Sequence, residues 1–148
     1  MNIFRPSPSP VESARCLADR HVVKMALETA QILSTVAGGP YKPTHARHPC
    51  TLWAGESRAN AMWLWMHGVA LCGEYQRRFG KVHGCRGVIA AIDLSALPDR
   101  VGTPAPFCGP ADTPGDTVEA RYRALLAAKY ASWGPMARWT NATRPEWA

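Results

Sequence analysis

Stepping along the chain at about 100° per residue separates helical stretches from the Pro- and Gly-rich joints between them. The clearest stretch is Asp19 to Ala37, DRHVVKMALETAQILSTVA. Val22, Val23, Met25, Ala26, Ala30, Ile32, Leu33 and Val36 make it apolar around most of its circumference. One polar stripe remains: Arg20, His21, Lys24, Glu28 and Gln31. Gly38-Gly39-Pro40 stops the helix. A second long helix is predicted from about Glu56 to Phe79, with a short helical lead-in at Thr51 to Ala54 and Gly80 as its end. Shorter helices are predicted from Pro10, capped by Ser9 with Glu12 completing a capping box, and from Gly87 to about Leu97. A last one runs from Thr117 to Trp133 with Asp116 as its cap. No stretch alternates as a half-buried strand would, so the expected fold is all-α, one compact helical domain over residues 1–148.

The joints differ in character. RPSPSP (5–10) blocks regular structure. YKPTHARHPC (41–50) is a loop carrying two histidines, and residues 101–116 read as an ordered surface loop. Trp139 and Trp147 in the tail predict that it docks on the body. Trp63 and Trp65, two apart, cannot share a helical face, so one is expected in the core and the other against a neighbour.

Composition narrows the function. Hydrophobic residues make up 47% of the chain, too many for disorder. Seventeen Lys and Arg against eleven Asp and Glu leave a net charge of +6, which suits a polyanionic partner. The five cysteines are scattered and form no CxxC pair, which argues for a reducing, cytoplasmic setting and against a disulfide framework. No apolar run is long enough to span a bilayer, so no membrane partner is expected, and the expected state is a monomer.

The polar stripe is where chemistry is expected. It reads either as a solvated face holding a Lys24–Glu28 pair, or as a carboxylate set among basic groups to stabilise a developing sugar cation or move protons. The second reading gains from a resemblance. LADRHVVKMALE (17–28) and the near-terminal RPEW (144–147) resemble the corresponding segments of phage endonuclease V, the pyrimidine-dimer DNA glycosylase. His21 and Glu28 match that family in type and spacing. The MNIF start, HVVKM, YKPTHARHP and RPEW further resemble a phage and bacterial subgroup of the superfamily.

The resemblance implies an endonuclease V-like fold and an enzyme that flips a nucleotide out of DNA and cleaves its N-glycosidic bond at a damaged or modified pyrimidine. Glu28 would be the catalytic carboxylate and His21 its companion. The family's nucleophile is the α-amine of a small residue exposed once Met is removed. Here Asn2 is bulky, Met1 is expected to stay, and that nucleophile is expected to be absent. Lys24, activated by Arg20 and by burial, could serve instead, or water with Glu28 as base, or the fold could serve another reaction.

His45 and His48 are predicted to close the pocket over the stripe and share in proton transfer. Their spacing with Cys50 fits no standard zinc pattern, so neither metal nor cofactor is expected. Arg20, Lys42, Thr44, Arg77, Arg78, Lys81 and Arg144 are the candidate phosphate contacts. Three functions remain in order: glycosylase on DNA, a transferase or hydrolase of phage-type base or nucleotide hypermodification, and a DNA-binding protein without catalysis.

Overall fold

The computed structural model describes residues 1–148 and contains six α-helices and no strand. Helix α1 (Pro10–Cys16) begins where Ser9 Oγ accepts the Glu12 N–H at 3.2 Å and Pro10 fills a position that needs no donor. Helix α2 (Asp19–Ala37) has the predicted bounds and ends at Gly38, whose φ of +71° favours glycine.

The predicted lead-in proves to be a helix of its own, α3 (Pro49–Glu56), started by His48, whose Nδ1 accepts the Cys50 N–H. The chain then extends at Ser57, which caps the separate helix α4 (Arg58–Phe79). Helix α5 (Arg86–Ala91) stops six residues short of Leu97. Past its end the Asp93 carboxylate takes the Ser95 N–H at 2.8 Å, a local turn that competes with further helix. Helix α6 (Val118–Trp133) is capped by Thr117 rather than Asp116 and runs into a 3₁₀ turn at Gly134–Met136.

Helix α4 packs against α1, α2, α3 and α5, and α2 packs in turn against α3 and α5. Leu33, Leu64, Leu71, Ile89 and Leu126 are wholly enclosed, each burial contributing about 1.5–3 kcal/mol. Helices α2 and α4 approach closely at Gly68, where an added Cβ would meet Thr29 Cγ2 at 2.6 Å. Neither Trp63 nor Trp65 enters the core. Both are half-buried and anchor outer segments, Trp63 donating to Pro8 O and Trp65 to Ile89 O.

Both ends of the chain are held. Ile3 and Phe4 are buried. In the tail, Trp139 Nε1 donates to Cys16 O and Thr140 donates to Asp19. No helix is long and apolar enough to cross a membrane.

Candidate active site

Two turns of α2 separate His21 from Glu28, so both project from one face, and both are buried. The polar stripe therefore divides. Its His21–Glu28 edge turns inward, while Arg20 and Lys24 remain exposed beside the apolar but exposed Val23 and Leu27.

The inward edge meets the first residues of the chain. Asn2 N–H donates to Glu28 Oε2 at 2.8 Å, and the Met1 amine lies 3.8 Å from the same oxygen with its side chain almost fully enclosed. Lys24 Nζ sits 3.3 Å from Oε1. Lys24 is 69% exposed at the rim, which corrects the expectation of a buried lysine. Lys129, from α6, completes a cavity of about 200 Å³ together with Phe4 and Met25. One carboxylate thus stands among three cations, a setting suited to an anionic ligand.

His21 is held as the neutral imidazole. Burial lowers its pKa to about 3, with Lys129 and Lys24 adding to the effect. Its Nδ1 lies 2.9 Å from the Tyr130 hydroxyl, which already accepts the Ala18 N–H at 3.2 Å. Donation of the Tyr130 proton to Nδ1 satisfies both groups, and with it the ring proton sits on Nε2. Phe4 and Trp133 pack against the imidazole.

The histidine loop does not line this cavity, which corrects the expectation that His45 and His48 close it; His48 lies nearby. Burial lowers the pKa of His48, the Met1 amine and His45 lower it further, and Glu28 opposes them. These groups therefore share one electrostatic neighbourhood. His45 adopts φ +49°, with its Nδ1 2.7 Å from Thr44 Oγ1. Thr44 is tied to α2 by its N–H to Thr35 Oγ1. Lys42 is exposed.

The predicted phosphate contacts do not form one set. Arg78 is wholly buried and donates to Leu17 O, Arg15 O, Asp19 and Glu74. It ties α4 to the α1–α2 joint and is out of reach of a phosphate, which corrects its assignment. Arg77 pairs with Glu74 at 2.6 Å and donates to Asn141 O. With Glu74 and Asn141 it lines a separate open groove of about 770 Å³. Arg144 lies over Trp139 and donates to Ala148 O. Arg20 lies over Trp133, and Lys81 is exposed.

Residues 1–84 match the sequence profile of the pyrimidine dimer DNA glycosylase family. That is 84 of 148 residues, and the chain belongs to this family. Membership supports a DNA-acting, glycosylase-like function. The matched span carries His21, Lys24, Glu28 and the whole histidine loop, whereas Lys129 and Tyr130 come from the remainder. No curated protein and no solved structure matches the chain.

Lys129, Tyr130 and the backbone of residues 1 and 2 were missed by sequence reasoning. Asn2 was weighed only for its bulk, and nothing in ALLAAKYASW sets Lys129 apart from a surface lysine.

Proposed function

We propose that the protein cleaves the N-glycosidic bond of a damaged pyrimidine in DNA, with an amine at the start of the chain as nucleophile and Glu28 as its proton acceptor. The observation that carries this reading is the convergence of the first two backbone nitrogens on a buried carboxylate.

In this mechanism Glu28 takes a proton from the Met1 amine, whose nitrogen then bonds to the sugar C1′. The glycosidic bond breaks, and the base takes from Glu28 the proton that the amine gave up, staying tethered to its neighbour where the lesion is a cyclobutane dimer. Opening of the sugar ring yields an imine, which water hydrolyses. Lys24 and Lys129 at the rim hold the flanking phosphates, and neutral His21 offers its Nε2 proton to the nucleotide. The Met1 amine is favoured over Lys24 because the buried Met1 side chain anchors it beside Glu28, whereas the Lys24 side chain is mostly in solvent.

The test is turnover of duplex DNA carrying a single cyclobutane pyrimidine dimer, compared with undamaged duplex, for wild type and Glu28→Gln. Wild type is expected to produce an abasic sugar at the lesion alone, read as an alkali-labile site. Glu28→Gln, which keeps an oxygen for the Asn2 N–H, is expected to lose about 10²- to 10⁴-fold in rate while retaining DNA binding. An unmodified lesion after prolonged incubation with excess wild type would overturn the reading.

A further inference from the structure

Beside the amine pocket stands a second cluster that the glycosylase reading does not use. His48, at the start of α3, Cys50 in its first turn and Cys108 from the loop before α6 bring three ligand atoms within 4.8 Å of one another. The two sulfurs are 3.5 Å apart. In a tetrahedral site with metal–sulfur bonds of 2.3 Å, two thiolates stand about 3.8 Å apart. The side chains are therefore already spaced to share one ion with only small movement. Cys50 is fully buried, while His48 and Cys108 are partly so, which leaves an entry path.

We propose that His48, Cys50 and Cys108 bind a thiophilic divalent cation of the zinc type. The donor set is one imidazole and two sulfurs, the combination such ions select. Binding releases the two thiol protons, so the ion's two charges are balanced by two thiolates and no redox step is involved. His48 gives up its 3.2 Å bond from the Cys50 N–H when Nδ1 turns to the ion. The fourth position would fall to solvent, because Asn2 Oδ1, 3.7 Å from the Cys50 sulfur, already accepts from the Ile3 N–H and the Tyr122 hydroxyl.

The site has a structural consequence. Asn2 bonds Glu28 through its backbone and donates to Cys108 O through its side chain. An ion here would pin the first residues of the chain against the amine pocket. No metal was expected because the spacing of His45, His48 and Cys50 matches no standard zinc pattern; Cys108, which completes the set, lies 58 residues from Cys50.

The experiment is metal analysis of the purified, reduced full-length protein, followed by titration of the metal-free protein with Co²⁺ and with Zn²⁺. The expected result is one equivalent of Zn²⁺ bound and, with Co²⁺, a thiolate-to-cobalt band that one equivalent of Zn²⁺ abolishes. Cys50→Ser and Cys108→Ser should each remove the band, while Cys72→Ser keeps it. Should a serine variant fail to fold, wild type alone decides: a thiol-blocking mercurial should release the bound Zn²⁺ stoichiometrically. A reduced wild type that binds no Co²⁺ or Zn²⁺ would overturn the proposal. So would a band that survives loss of both cysteines. None of these readouts depends on glycosylase activity, so this proposal and that one fail separately.

Discussion

Asn2 N–H donates to Glu28 Oε2 at 2.8 Å across 26 residues of chain. This bond fixes the direction in which the first residues enter the molecule, and it brings the Met1 amine to the same carboxylate. Ile3 and Phe4, buried immediately afterwards, anchor the segment. An element that would ordinarily fray is thereby built into the wall of the site.

Arg78 sets a test between structure and recognition. Its guanidinium is enclosed and serves two carboxylates and two carbonyls. Arg78→Met leaves Glu74 with Arg77 alone and strips the carbonyls of Leu17 and Arg15 of this donor. The expected cost is about 3–5 kcal/mol, read as a lower urea midpoint. DNA affinity of the fraction that remains folded should be unchanged.

Stability should fall with acid in a defined window. His21 is held to about 3 chiefly by burial, and His67, enclosed with its Nδ1 on Pro10 O, to about 4. Both take up protons near 6.5 when the chain unfolds. The unfolded chain therefore binds more protons below that pH, and stability is full above it. It should then decline by about 1.4 kcal/mol per unit for each histidine, ending near 4 for His67 and near 3 for His21. Urea unfolding at pH 7.0, 6.0 and 5.0 measures the slope, and His67→Gln should roughly halve it.

Lys129 lines the cavity without a carboxylate partner of its own. Lys129→Gln should weaken DNA binding across sequences and lower the slope of log K against log salt by about 1. Arg77→Gln should change that slope little, because Glu74 already neutralises the guanidinium. Binding isotherms at several salt concentrations distinguish the two.

These contrasts also mark what the sequence could disclose. The period of α2 located His21 and Glu28 on one face, because a nearly all-apolar helix leaves few places for an acid and an imidazole. Gly38 and Gly80 marked helix ends correctly, since their left-handed conformation disfavours other residues. Arg77 and Arg78 could not be told apart in the sequence, yet a turn of about 100° on α4 exposes one and buries the other. Ser57 hid the α3–α4 break because a serine between two helical runs reads equally as interior or cap. The contacts of Asn2, Lys129 and Cys108 join segments far apart in the chain, and no local pattern encodes them.

The proposed attack of the amine beside Glu28 on the sugar passes through an imine that borohydride reduces to a stable adduct. The full-length protein is incubated with dimer-containing duplex in borohydride, and the adduct is digested and mapped by mass spectrometry, with the intact mass defining the terminal residue. A reduced covalent adduct is expected on the N-terminal peptide, absent with undamaged DNA and strongly diminished in Glu28→Gln. An adduct confined to the peptide containing Lys24, or an abasic product with no trapped adduct at all, would contradict the proposed attack.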